Sequence, residues 1–262
     1  FDAQSWASWA DLDHKNLIWT WTLKLLEPLI SLKGLLSKHP FLLLTGTETG
    51  KNSLLLSQLE SVGCHLNLKV KLGRSMTQEP ISLFAPQSQP LPNTEFYAKH
   101  LLDQSRRLIL GLNGSTILLL DDNQLRRQLT SELAAEFGRR VVHEKIVWNV
   151  TGVISCRWSW WLAHQDFLPI PDQLIVGVLP LASIEEPLIA ARVDALKKQG
   201  RDWFRELLLP EALTLLPQAV APLRVNGGRI AILDGRLRSR SWGEQFYRSL
   251  EPWTPLHRLL PN

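Results

Sequence analysis

The chain has 262 residues, 45% hydrophobic and 21% charged, enough to bury a substantial core as one large domain or two small ones. No apolar run approaches the roughly 20 residues of a bilayer span, and Cys64 and Cys156 stand too far apart to suggest a disulfide framework, a zinc site or an iron–sulfur cluster. The formal charge of +4 leans toward a polyanionic partner.

No membrane segment and no bound metal are therefore expected, and two isolated thiols fit a reduced, cytoplasmic setting. The chain opens on Phe1, its one methionine is Met76, and no signal-type segment leads it. The expectation is a domain cut from a longer protein. Of eleven tryptophans, eight cluster as Trp6, Trp9, Trp19 and Trp21, and again as Trp148, Trp158, Trp160 and Trp161. Indole rings fill cores and interfaces, or stack on the bases of single-stranded DNA. Packing is the expectation for the first cluster; the second leaves both roles open.

In chain order, the first forty residues read as a hairpin or strand plus a helix, a lead-in packed on the sheet that follows. FLLLT from Phe41 reads as a buried strand, with a helix through Leu54, Leu55, Leu59 and Val62. HLNLKVKL from His65 alternates as a strand with one covered face should, and ISLFA from Ile81 is a further strand. APQSQPLPN, Ala85 to Asn93, is loop. A helix is predicted from Thr94 to Leu110, a strand from Ser115, and then a helix, LRRQLTSELAAEF, capped by Asn123. Strands at Gly152 to Cys156 and Leu174 to Leu179 follow, with helices at Glu185 to Gln199 and Asp202 to Leu208. A strand at Arg229 to Leu233 and a helix at Trp242 to Leu250 close the chain. This alternation predicts an α/β fold, a parallel sheet with helices on both faces, whose ligands sit at the carboxyl ends of the strands.

LLLTGTETGKNS, Leu42 to Ser53, stands where a phosphate-cradling loop belongs, and ILLLDD, Ile117 to Asp122, resembles a strand ending in magnesium-holding carboxylates. Thr45 occupies the position of the loop's first glycine, and Asn52 that of the Ser or Thr that would ligand Mg²⁺. The first loss removes the tight turn and the second a metal ligand. Asp before a helix is also a common cap.

Taken in order, the segments resemble the second motor lobe of the DinG/XPD helicase family. LEPLISLKGLL through HPFLLLTGTE resembles the stretch leading into that family's LTSATL motif, with Thr45-Gly46-Thr47 in its place, and Pro92-Asn93 matches a Pro-Asn pair. STILLLDDNQLRRQL resembles the family's LVLFTSYxxL, so that Asp121 and Asp122 need hold no magnesium. LPIPDQLIVGVLPLASIEEPLIAARVDALKKQGRDWFRELLLPEAL, from Leu168 to Leu213, follows VPGxxLxxVIIxxLPFxxPxDPLxxAR…FxxxxLPxA. Its landmarks are Leu179-Pro180, Glu186-Pro187-Leu188, Ala191-Arg192, Phe204 and Leu209-Pro210-Glu211-Ala212. RIAILDGRLRSRSWGEQFYRSLEPW resembles VVVILDxRLxxxxYGxxFxxSLP, with Asp234, Arg236, Gly243 and Phe246 on its fixed points.

The departures fall at the ATP-facing motifs. The family's QGxGRxIR stands here as QAVAPLRV, Gln218 to Val225. Both glycines are alanine, Pro222 replaces the finger arginine, and Arg224 and Arg229 are the nearest substitutes. Losing such an arginine costs on the order of 10³–10⁵ in turnover. GSFWEGVD is altered to SCRWSWWLAHQD, which keeps an aromatic and Asp166.

The resemblance implies a RecA-like lobe over 41–262, with 1–40 as its lead-in. It would share an ATP–Mg²⁺ site with an N-terminal helicase lobe of the same protein and hydrolyse nothing alone. Gln218, Arg224, Arg229 and Asp166 are the ATP-facing candidates, and Thr45, Gly46 and Thr47 form a coupling loop. Arg157, Trp158, Trp160 and Trp161 are candidates for single-stranded DNA, and Arg224, Arg229, Arg236, Arg238 and Arg240 for a basic strip or a solvated face. The alternatives are a catalytically inactive DNA- or protein-binding module, and a free-standing nucleotidase using Gly50 and Lys51.

Overall fold

The computed structural model describes residues 5–36, 38–42, 59–60, 63–68, 70, 79–146 and 150–257. The chain forms two compact units, Phe1–Leu72 with Leu181–Ala212, and Gly73–Pro180 with Leu213–Asn262. No helix among the described residues is long and apolar enough to cross a membrane.

The first unit opens on an antiparallel hairpin, β1 (Trp6–Asp13) and β2 (Ile18–Leu25), with Trp9 opposite Thr22 and Ala10 opposite Trp21. Helix α1 (Pro28–Leu36) follows, so hairpin and helix appear as expected. The unit also holds α5 (Pro187–Lys198), with Pro187 at its first turn, where a missing N–H costs nothing. A small core forms around Ile189, Val193 and Leu208, with Trp203, Phe204 and Leu207 packed against it. The strand predicted from His65 is not formed at its described residues. Leu68 and Val70 are exposed, so the alternation there has no covered face to answer to.

The second unit is built on a seven-stranded parallel sheet in the order β5-β6-β4-β7-β8-β3-β9. Its strands are β3 (Ile81–Phe84), β4 (Thr116–Leu119), β5 (Val141–His143), β6 (Val153–Cys156), β7 (Gln173–Val176), β8 (Arg229–Ile232) and β9 (Trp253–Pro255). All four residues of β4, β6 and β7 are buried, as central strands covered on both faces require. Side chains alternate between faces. Leu118, Leu120, Ile175, Ala231 and Leu233 join a core with α2 (Tyr97–Leu110) and α3 (Asn123–Phe137). Ile117, Leu119, Leu174, Val176, Ile230 and Ile232 point to the other face and are fully buried.

Helix α4 (Trp158–His164) lies between β6 and β7. Helix α6 (Leu209–Val225) precedes β8, directly after a π-helical turn at Phe204–Leu208. The short α7 (Arg236–Ser239) and α8 (Gly243–Ser249) lead to β9. The cap of α3 is Asp122 rather than Asn123, its carboxylate accepting from the Leu125 N–H at 2.8 Å. Asn123 instead accepts from Arg126.

Candidate functional site

Because every strand of the sheet runs the same way, all the strand ends that a ligand would meet lie along one edge. The connection after β4 runs toward β5, and the one after β7 toward β8 on the other side. The loops therefore diverge between β4 and β7, the place where such sheets open a crevice. Here the Trp158 ring is buried between the two diverging loops, 2% exposed, its indole donating to Val178 O at 3.3 Å.

On the β4–β6 side, the Asp121 carboxylate accepts from the Trp158 N–H at 3.0 Å. Burial pushes its pKa up, against the pull of that bond and of Arg126. Arg126, 3% exposed, donates to the carbonyls of Leu120 and Asp121, to Asn123, and to His143 Nε2. Arg157 makes a two-pronged pair with Glu144 at 2.8 and 3.1 Å. Burial raises the Glu144 pKa, but the Arg157 bonds outweigh it and hold the carboxyl below its ordinary range. Asp121 and Asp122 are thus spent on a helix start each. Among the described residues no His, Cys, Asp or Glu group gathers to hold a metal ion.

On the β7–β8–β3 side, Asp234 is fully buried and accepts from the Leu179 N–H at 2.9 Å and from Arg236 through backbone and guanidinium. The Tyr97 hydroxyl donates to Gly177 O, and burial raises its pKa far above that of a free phenol. Gln89 donates its amide to Ile232 O and Pro86 O, pinning the proline-rich loop to the end of β8. A Cβ at Gly235 would lie 2.5 Å from the Gln89 and Pro90 carbonyls, so only glycine permits this approach. A Cβ at Gly243 would overlap the Leu237 carbonyl. Between the two loops lies a cleft of about 490 Å³ lined by Gln87, Ser88, Gln89, Pro90, Gly235, Arg238 and Ser239.

The residues singled out from the sequence do not converge. Thr45, Gly46, Thr47, Gly50 and Lys51 lie outside the described residues. Arg224 is buried and donates to the carbonyls of Glu79, Pro252 and Leu250. Arg229 donates to Gln173 and to Leu108 O. Glu79 and Pro252 precede β3 and β9, and Arg229 and Gln173 begin β8 and β7, so both guanidinium groups serve the amino-terminal edge. That is the edge opposite the one where an ATP-facing arginine belongs. Gln218 is half-buried within α6, and Asp166 is exposed just beyond α4.

Of the three clustered rings, Trp158 and Trp161 are core, and the Trp161 indole donates to Ala219 O at 3.0 Å. Burial of Trp158 and Trp161 removes both rings from any exposed stacking surface. Trp160 is half-buried and stacks on His164 with centroids 4.4 Å apart. The basic strip is likewise reduced. Arg236 is locked on Asp234, and Arg238 and Arg240 are the exposed members. The structural roles of Tyr97 and Gln89 gave no sequence signal, since each depends on a carbonyl supplied by a distant strand end, Gly177 and Ile232, and Arg126 turns back on the strand end just before its own helix.

No family model matches the chain. It is 38% identical over 128 residues to an ATP-dependent DNA helicase YoaA of Haemophilus influenzae, 48% of this chain and 20% of that protein. It is 26% identical over 176 residues to the Escherichia coli helicase of the same name, 62% of this chain and 28% of that protein. A 3'-5' exonuclease DinG of Bacillus subtilis is 33% identical over 75 residues, 28% of this chain and 8% of that protein. The chain thus spans about a quarter or less of the curated relatives it matches. The structure of S. tokodaii Xpd4 superposes with a TM-score of 0.50 at 12% identity, over 73% of this chain and 41% of that one.

Proposed function

We propose, from the premise that this chain carries a DinG/XPD-type helicase-like domain of RecA-like α/β fold, that it is the second motor lobe of an ATP-dependent DNA helicase. It acts with an N-terminal lobe outside this chain. Residues 41–262 are the lobe and 1–40 its lead-in, in a cytoplasmic protein. One observation carries this reading. The two segments that most closely resemble the family, Leu168–Leu213 and Arg229–Trp253, are bonded to each other at the carboxyl edge through Leu179 N–H and Asp234. The landmarks Arg236, Gly243 and Phe246 then fix the turn that follows.

In this reading ATP and Mg²⁺ lie between the lobes and are held chiefly by the other one. On this side Gln218 and Asp166 face the nucleotide, and the Thr45–Thr47 loop couples hydrolysis to DNA movement. Arg224 and Arg229 serve the fold, so neutralising charge on the transferring phosphoryl group falls to the other lobe. Single-stranded DNA is met by Trp160, with Arg157 beside it.

The second reading, a catalytically inactive DNA-binding module, is favoured by Pro222 at the finger position. Steady-state ATPase assays with single-stranded DNA, on this chain and on the full gene product, separate the readings. The motor-lobe reading expects no turnover from the chain and DNA-stimulated turnover from the full product. DNA binding without turnover by the full product selects the inactive module. Turnover by the chain alone that disappears in Lys51→Ala overturns both in favour of a phosphate-cradling loop.

A further inference from the structure

The β1–β2 hairpin presents one face made of Trp6, Ser8, Ala10 and Leu12 with their cross-strand neighbours Leu25, Leu23, Trp21 and Trp19. This face holds no charged side chain. Trp19 and Trp21 are 69% and 75% exposed and Leu23 is 41% exposed. The other face carries Ala7, 5% exposed, and Trp9 beneath Lys24, and β1 packs on α5. A two-stranded hairpin is marginal by itself; this one is supported on one side and bare on the other. Helix α1 repeats the pattern, with Ile30, Leu32 and Leu35 all exposed. At about 150–250 Å² of burial per tryptophan, the two rings alone leave roughly 300 Å² of indole in water. That already reaches the largest patch of an ordinary monomer, about 300–600 Å².

We infer that this face is the docking surface for a neighbouring domain of the same helicase-type polypeptide, which meets it with an uncharged apolar surface. This rests on the lobe reading above. The curated relatives extend far beyond the matched segment, which is 20% and 28% of their lengths, so in them most of the chain is available to cover it. A face without cations argues against a nucleic-acid strand, since stacking platforms work beside a basic groove.

The test is thermal unfolding of Trp19→Ser/Trp21→Ser in two backgrounds, this 262-residue chain and the full gene product. In the chain the exposed rings contribute little, and the midpoint should move by no more than about 2 °C. In the full product the rings are buried, and it should fall by at least about 5 °C. The apolar variant Trp19→Phe/Trp21→Phe should retain most of the lost stability. Equal small shifts in both backgrounds overturn the inference. So does a dimer of the chain that the serine variant makes monomeric, which assigns the face to a second copy. Loss of oligothymidine binding in the serine variant would assign it to DNA. The ATPase of the full product reports separately on the lobe reading: turnover without a differential shift sinks only the docking surface, and the reverse sinks only the motor.

Discussion

Removing the charge at Asp234 tests the joint that unites the two most family-like segments. Its carboxylate is fully buried and receives Leu179 N–H at 2.9 Å, Arg236 N–H at 2.9 Å and the Arg236 guanidinium at 2.6 and 3.0 Å. Asp234→Asn preserves size, but its amide must turn an NH₂ toward either the Leu179 or the Arg236 donors. It also leaves a guanidinium that is only 24% exposed without its counter-charge. Breaking a buried pair from one side costs about 3–5 kcal/mol. At about 2–4 °C per kcal/mol for a domain of this size, the melting midpoint should fall by about 6–20 °C. Arg236→Leu strands the opposite charge and should cost a similar amount. Asp234→Leu/Arg236→Leu removes both charges and should cost well under the sum, leaving chiefly the orphaned Leu179 N–H. Urea titration of the wild type, Asp234→Leu, Arg236→Leu and the double variant closes the cycle and gives the coupling energy directly. Single-variant losses below about 1 kcal/mol, or strictly additive ones, would refute the reasoning.

Three further outcomes follow from the same geometry. Arg224→Ala takes a buried donor from the Glu79, Pro252 and Leu250 carbonyls, of which Pro252 O keeps the Ile81 N–H, and should cost about 2–3 kcal/mol in urea unfolding, with unchanged nucleotide affinity in the full product. Trp161→Ala should lose about 3–5 kcal/mol as a core deletion. Trp160→Ala should leave stability nearly intact but weaken single-stranded DNA binding about 5- to 150-fold, read by fluorescence titration. Burial raises the Asp121 pKa, so ionising this carboxyl in the folded state opposes folding above that raised value. Asp121→Asn keeps an acceptor for Trp158 N–H and should stabilise the protein at pH 7. The advantage should shrink as pH falls through the Asp121 pKa and be gone below the ordinary carboxylate range, as thermal melts from pH 7 to 4 would show.

The sheet was legible where burial imposes a simple pattern. β3, β4, β6, β7 and β8 announce themselves as apolar runs bounded by polar or turn residues, because central parallel strands need both faces covered. β5 and β9 have three residues each, too few to show any period. Helix α6 was hidden by Pro217 and Pro222 inside it, residues that ordinarily end a helix. Here Leu216, Ala219, Val220 and Leu223 are fully buried, and packing overrides local preference. Within Trp158–Trp161 the helical spacing turns Trp160 away from the other two, and those two rings belong to the core. Helical spacing says which side chains share a face, whereas the fold decides which face meets the sheet. The arginines were the least legible, since a guanidinium claimed by three carbonyls looks the same in sequence as one awaiting a phosphate.

Helix α6 also accounts for the pattern of departures. In the family motif, glycines and an arginine stand where this chain has Ala219, Ala221 and Pro222. Each Gly-to-Ala exchange favours a helix by about 1 kcal/mol, and the Ala219 carbonyl is engaged by the Trp161 indole. Trp161 itself lies in the segment that replaces the family's second altered motif. The two departures therefore meet physically: a buried tryptophan from one bonds the backbone of the other. The Ala219 carbonyl is thereby committed to the interior, next to the partly exposed Gln218. The landmarks that survive, Asp234, Arg236, Gly243 and Phe246, secure the scaffold instead.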